Sequence, residues 1–319
     1  MDLLSRLLTL MPVTGRLDAR CHFGAPWRLD HPASGAREIP YHVLLRGEAQ
    51  VDDGHAPPLR MRAGDIVLFP SGVPHVLRDA GGGAAQASHS RDEAGLEIVT
   101  NDGDGPPADL LCGRFLLPEM PRPLWRDDLP ARMLVHSDSD AEDAPSAAER
   151  EARVADSRLA RLIGLMREEA LERGPGSATL IDALSGALFA LTLRHASVGP
   201  APPGGLLALA QRPRLQPALA AMLDAPDRPW TLPDLAALCH MSRASFARHF
   251  DDAIGRSASD VLAEIRMALA SRMLAHDARP VAEIGEAVGY QSEAAFQRAF
   301  KRLVGLTPAQ WRAQARQRA

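Results

Sequence analysis

The sequence predicts an α+β chain, β-rich up to about residue 136 and helical from there to the end. Three observations predict it: short apolar runs between turn residues in the first part, apolar residues at helical spacing in the second, and a repeat at an offset of 50 residues near the C-terminus. The length of 319 residues suffices for two domains, and 46% hydrophobic residues can fill a core in each. No apolar run approaches the roughly 18 to 20 residues needed to span a bilayer. The apolar start (Leu3, Leu4, Leu7, Leu8, Leu10) carries Asp2 and Arg6 and lacks a small-residue cleavage site. The chain therefore reads as cytoplasmic, with no membrane partner. Three cysteines, Cys21, Cys112 and Cys239, cannot form a fully paired framework and suit a reducing compartment.

Strands are expected over Tyr41 to Leu45, Ile66 to Phe69 and Leu110 to Leu117, where β-rich apolar runs lie between turn residues. Breaks fall at Gly81 to Ser90, at the acidic stretch Ser137 to Glu151, and at Ser197 to Gly205, whose prolines and glycines read as a linker. Between the last two, Arg158 to Ala170 (Leu159, Leu162, Ile163, Met166) and Leu180 to His195 (Leu184, Leu188, Leu191) form a helical pair, a candidate dimerisation region. The expected organisation is thus a β domain over 1–136, helices over 137–196, a linker over 197–205 and an all-α domain over 206–319. Divided at Gly205, the first part holds 21 Lys+Arg against 29 Asp+Glu and the remainder 15 against 11. A net charge of −4 argues weakly against nucleic acid, but this division suits a basic module attached to a regulatory one.

The repeat matches Ser242-Arg-Ala-Ser-Phe246-Ala-Arg248-His-Phe250 with Ser292-Glu-Ala-Ala-Phe296-Gln-Arg298-Ala-Phe300. Each copy opens with a serine able to N-cap a helix, sets two phenylalanines four apart on one face, and closes at a glycine, Gly255 or Gly305. A shorter helix precedes each copy: Thr231-Leu-Pro-Asp234 reads as a capping box before the first, and Val281 to Val288 leads through Gly289 to the second. Helix, tight turn, helix is the helix-turn-helix, whose second helix enters the major groove of DNA. Ala258 to His276 reads as one long helix joining the two units. Phe246, Phe250, Phe296, Phe300 and Trp311 read as core, and Thr307-Pro308 as a helix restart.

Over about Leu206 to the C-terminus the sequence resembles the AraC/XylS family of transcription regulators. The motifs that carry the resemblance are Met241 to Phe250, Val288-Gly-Tyr-Gln-Ser-Glu-Ala-Ala-Phe-Gln-Arg-Ala-Phe-Lys301 and Gly305-Leu-Thr-Pro308. His240 stands where that family often has glycine in the first turn. The resemblance implies recognition faces of Arg243, Ala244, Ala247 and Arg248 in the first unit and Glu293, Ala294, Gln297 and Arg298 in the second. The chemistry agrees: arginine can bond guanine bidentately, glutamine adenine, glutamate can accept from cytosine, and alanine can touch a thymine methyl. Ser292, Lys301 and Arg302 read as phosphate anchors. Promoter DNA is the expected partner, with RNA polymerase and a second copy of the chain as further ones.

Gly64-Asp-Ile-Val-Leu-Phe-Pro70-Ser-Gly72-Val-Pro-His75-Val-Leu-Arg-Asp79 resembles the second motif of the cupin fold, with Asp79 in place of its usual Asn. This implies an N-terminal cupin-like β-barrel or jelly roll with His75 pointing inward. The first cupin motif is eroded: His42 occupies its region without the partner histidine and glutamate. An oxygenase normally needs about three protein ligands, so a metal-dependent cupin enzyme with a helical appendage is the weaker reading, and no catalytic residues are assigned. Cys21, His42 and His75 are a candidate set for a metal such as zinc, the alternative being two satisfied interior histidines. Cys21, Cys112-Gly113 and the Met241 to Ala247 run also resemble the RclR-type subgroup of the AraC family, which responds to reactive chlorine or other oxidants. That implies redox sensing in which an exposed thiol of lowered pKa oxidises and pairs with a resolving cysteine, against two buried bystanders. The fold class expected overall is α+β, with a cupin-like barrel plus helices and an all-α domain of two helix-turn-helix units serving a sequence-specific regulator that answers an oxidant or small-molecule signal.

Overall fold

Among the described residues eleven helices and eleven strands run from Leu3 to Arg318, and sequence order alone does not group them, because the first helix packs with the last domain. The computed structural model describes residues 2–93, 95–118, 129–136, 147–172, 174–198, 204–210 and 212–318. Helix α1 (Leu3–Leu10) is capped by Asp2, whose carboxylate accepts from Ser5 N at 2.9 Å. Its Leu7 and Leu10, with Met11, are buried. It belongs to the unit that contains residues 203–319, although the sequence groups it with the β domain.

The β unit begins at β1 (Thr14–Gly24), followed by β2 (Arg28–His31), β3 (Glu38–Arg46), β4 (Glu48–Asp52), β5 (Leu59–Arg62) and β6 (Ile66–Leu68). Then come β7 (His75–Arg78), β8 (Ser88–Glu93), β9 (Leu96–Asn101), β10 (Pro107–Leu116) and β11 (Met133–Val135). A seven-stranded sheet has the order β11-β6-β3-β10-β1-β9-β8, and a four-stranded one the order β2-β7-β4-β5. Side chains from both sheets and from the connections beside them share one core, among them Phe23, Trp27, Leu44, Val51, Met61, Phe69, Leu77 and Leu110.

The motif at residues 64–79 builds part of this frame. Gly64 takes φ +93°, which a side chain disfavours. Asp65 accepts from Arg62 N at 2.8 Å. Asp79 accepts from Trp27 N at 2.9 Å and Gly81 N at 2.8 Å, so its replacement of Asn keeps an acceptor that holds two loops.

Two long helices, α2 (Ala147–Glu172) and α3 (Ser177–Val198), complete this unit. They start earlier than their apolar spacing indicates, and α2 begins inside the acidic stretch read as a break; residues 137–146 of that stretch and 199–203 of the linker lie outside the described residues. Leu159, Ile163, Met166 and Ala170 of α2 are buried, as are Ser185, Leu188, Phe189, Thr192 and Leu193 of α3. One described helix, Ser177–Ser197, is long and apolar enough to cross a membrane, which the sequence reading did not anticipate. Here that apolarity serves the core: Tyr41 Oη lies 3.0 Å from Ser185 Oγ, and Phe115 packs 4.8 Å from Phe189.

The helical unit runs through α4 (Gly205–Ala210), α5 (Gln216–Asp224), α6 (Leu232–Leu238), α7 (Arg243–Ile254), α8 (Ala258–His276), α9 (Val281–Ala287), α10 (Glu293–Val304) and α11 (Pro308–Arg318). Helix α8 packs on α7, α9, α10 and α11, the joining role its apolar spacing predicts. Its Met267, Ala270 and Leu274 share a cluster with Ile284, Val288, Phe296, Phe300 and Trp311. Trp311 Nε1 donates to Ser271 O at 3.0 Å, which satisfies the buried indole.

Candidate nucleic-acid interface and the barrel interior

Two helix-turn-helix units are present, α6–α7 and α9–α10. In the first, Thr231 and Asp234 form the expected capping box, with Thr231 N donating to Asp234 Oδ2 at 3.0 Å and Asp234 N to Thr231 Oγ1 at 3.3 Å. Met241 N donates to Ala236 O in the first turn and Tyr290 N to Gly285 O in the second, an offset of 49. The recognition helices, however, match at 50, so the second turn holds one more residue. The left-handed residue is His240 (φ 52°) in the first turn and Gly289 (φ 89°) in the second. His240 thus does occupy a glycine-like position. Cys239 is buried beside it, and burial pushes its thiol pKa up.

Helices α7 and α10 are built alike. Ser242 Oγ accepts from Ser245 N at 3.2 Å and Ser292 Oγ from Ala295 N at 3.3 Å. Phe246, Phe250, Phe296 and Phe300 are all buried beneath, and both helices end at a left-handed glycine, Gly255 and Gly305. The opposite faces are open: Arg243, Ala244 and Arg248 are exposed and Ala247 half-buried, while Glu293, Ala294, Gln297, Arg298, Lys301 and Arg302 are all exposed. Ser292 is exposed too, but its oxygen is engaged as the cap, leaving the hydroxyl proton free for a phosphate. Gln297 Nε2 donates to Glu293 Oε1 at 2.8 Å, which ties two expected base-reading side chains together. Exposed Asp251 and Asp252 share this face of α7, and the motif reading overlooked them.

Inside the barrel, His42 and His75 are buried and their Nε2 atoms lie 2.7 Å apart. Neutral imidazoles are dictated by the surroundings. Burial, then the neighbouring His75 and His31, holds His42 well below the ordinary histidine value; burial lowers His75 to about 4, partly offset by its bond to Val73. Because Val73 O can only accept, His75 Nδ1 carries a proton and donates at 2.9 Å. His75 Nε2 is then an acceptor, His42 Nε2 donates to it, and the bare His42 Nδ1 accepts from the Cys112 thiol at 3.0 Å. One carbonyl therefore fixes both tautomers and orients a thiol. His31, which the motif reading missed, stacks on His75 with ring centroids 4.7 Å apart; the strand register pairs the two residues directly.

The register also sets the cysteines. Cys112 is opposite His42 on β3 and Ala19 on β1, while Cys21 is opposite Leu110, so the two thiols meet diagonally across β1 and β10. The Cys21 thiol first, and burial second, raise the Cys112 pKa well above its ordinary value. Both cysteines are buried in the barrel core, which corrects the expectation of an exposed thiol of lowered pKa: continuous apolar packing, with Phe23 and Leu110 in the same cluster, surrounds them. Gly113 is there for space, since a Cβ would lie 2.6 Å from the Tyr41 hydroxyl.

Among the described residues no group of three or more His, Cys, Asp or Glu side chains is arranged to hold a metal ion. His42 and His75 come together, but the thiol at His42 is Cys112, on Nδ1 rather than at the Nε2 atoms. The set Cys21, His42 and His75 does not fit zinc as expected, because the two nitrogens that converge are engaged with each other.

A cupin family model matches residues 2–197 and a helix-turn-helix domain model residues 235–314. The RCS-specific HTH-type transcriptional activator RclR of Escherichia coli (strain K12) is 30% identical over 317 residues, covering 99% of each chain. An HTH-type transcriptional regulator of Haemophilus influenzae is 29% identical over 313 residues, 98% of each chain. The solved DNA-binding domain of AdpA in complex with a target DNA is 29% identical, covering 35% of this chain and 95% of that one, with a TM-score of 0.31. With a cupin domain in front of paired helix-turn-helix units, and this likeness along its whole length, the chain belongs to the AraC family of transcription regulators.

Proposed function

We propose that this regulator reads a specific promoter sequence with the open faces of α7 and α10, and that an oxidant reaching the barrel changes its DNA binding through Cys21 and Cys112. The observation that carries the signal half is the diagonal meeting of two thiols on neighbouring strands, one of them bonded to His42. RclR, a relative similar over the full length, is named for RCS specificity. Hypochlorous acid is small and neutral, so a buried pair is within its reach once the barrel breathes. It would take two electrons from the thiols, giving a Cys21–Cys112 disulfide, chloride, water and one proton. A bond drawn between β1 and β10 would change the packing of the strands that line the barrel, and thereby the populations of DNA-binding states.

The reading also includes a homodimer through α2 and α3, where Leu165, Leu171 and Leu180 are 40%, 44% and 40% exposed, and action in the cytoplasm, where promoter DNA lies. The test is DNA binding with and without hypochlorite, with thiols mapped by mass spectrometry. Wild-type protein should form the Cys21–Cys112 disulfide and change its affinity for a selected promoter duplex. Cys21→Ala should not respond; a response equal to wild type removes Cys21 from the mechanism.

A further inference from the structure

The repeat makes the two recognition helices a controlled comparison: one scaffold, two charge patterns. Cap, buried phenylalanine pair and left-handed terminus are shared, and Arg248 corresponds to Arg298. Yet Asp251 and Asp252 stand where the second unit has Lys301 and Arg302. All four are exposed. Asp251 follows Ala247 by four residues and Arg248 by three, and Asp252 follows Arg248 by four, so both carboxylates lie along the same face as the arginine.

Within α7 Arg248 is the one arginine a turn away from these two charges. Neither carboxylate makes an ion pair or side-chain hydrogen bond among the described residues, and the last turn of α7 contains no basic residue. They also sit at the helix end where free carbonyls already concentrate negative charge, so the macrodipole opposes them. In α10 the same turn carries Lys301 and Arg302, which the macrodipole favours.

We propose that Asp251 and Asp252 are specificity-determining residues: they hold the distal end of α7 off the phosphate backbone, so that DNA lacking the right bases is gripped through the second unit alone. The first unit then engages only where base contacts from Arg243 and Arg248 outweigh the repulsion. Discrimination is raised by weakening the wrong complex, a repulsive element beside an attractive one. This rests on the reading that the open faces of α7 and α10 meet DNA.

The test uses the full chain with Asp251→Lys and Asp252→Arg together, which transplants the charges of the second unit onto exposed positions. The probes are a mixed-sequence duplex and a duplex selected by the wild-type protein from a random library. Two new phosphate contacts steepen the salt dependence on mixed-sequence DNA by about 1.8 in log Kd against log salt, a roughly tenfold change relative to wild type between about 50 and 200 mM. The preference for the selected duplex falls by a similar factor. The neutral pair Asp251→Asn and Asp252→Asn lowers that preference in the same direction. An Arg298→Ala variant runs alongside. If it loses the selected duplex while the lysine–arginine variant keeps the wild-type slope and preference, the inference is overturned and the DNA-facing reading survives. If Arg298→Ala binds the selected duplex as wild type does, the DNA-facing reading fails and takes the inference with it.

Discussion

His240 is the sole non-glycine residue with positive φ among the described residues, and it is exposed. Left-handed backbone costs a side-chain-bearing residue roughly 1–2 kcal/mol. Glycine would relieve that cost while losing about 0.5–1 kcal/mol more chain entropy on folding. His240→Gly is therefore expected to stabilise the helical unit by about 0.5–1 kcal/mol, read as a raised urea midpoint. A lowered midpoint would show that the imidazole makes a contact worth more than the strain. The position was legible because the family motif flags the turn. By contrast, the meaning of Asp251 and Asp252 was not, because motif matching scores the residues that agree and passes over those that repel.

At the scale of elements, caps were the most legible features. Thr231 with Asp234 and Thr307 with Gln310 both close reciprocal bonds, the second pair at 2.9 Å and 3.2 Å, because short-range chemistry depends only on neighbours three apart. The start of α2 was illegible for the complementary reason: an acidic run lacks the apolar spacing that marks a helix, and its turns are continued by the face that begins at Leu159. Helix spacing within a unit is set by single atoms. A Cβ on Gly285 would stand 2.9 Å from the Phe296 ring, whereas the equivalent position of the first unit is Ala236, which tolerates its methyl. Gly285→Val should thus destabilise by about 1–3 kcal/mol through overpacking, and the matching Ala236→Gly should not create that clash. Chemical denaturation followed by helical circular dichroism checks this; an unchanged midpoint for Gly285→Val would mean that α9 and α10 separate freely.

For the molecule as a whole, the barrel imposes a pH limit. His42 and His75 are held neutral in the folded state, His75 down to about 4, whereas each has an ordinary value of 6.5 when released. Below 6.5 the unfolded chain binds protons that the folded barrel refuses, so stability falls as pH drops from 6.5 toward about 4. The limiting slope is about 1.4 kcal/mol per pH unit for each imidazole. Urea unfolding of the β unit across that window measures it, and a flat profile would mean that both rings take up protons in the native barrel as readily as in the unfolded chain. The inward direction of His75 was readable from its motif, and His42 was singled out by its place in the region of the first cupin motif. Their union with Cys112 was not, because it depends on a register between β3 and β10 that brings together residues 70 positions apart.

The packing of α1 changes what counts as the DNA-binding half. A fragment starting at Gly204 would be missing the interior side chains of Leu7, Leu10 and Met11, the Arg6 partner of Asp224, and the Thr9 carbonyl that Arg272 grips at 2.7 Å. The polypeptide contributes to that half at its beginning, and most of that half follows the barrel and its two helices. The regulator's two halves are thus interleaved in translation order, and the reader of DNA is unfinished without the opening dozen residues.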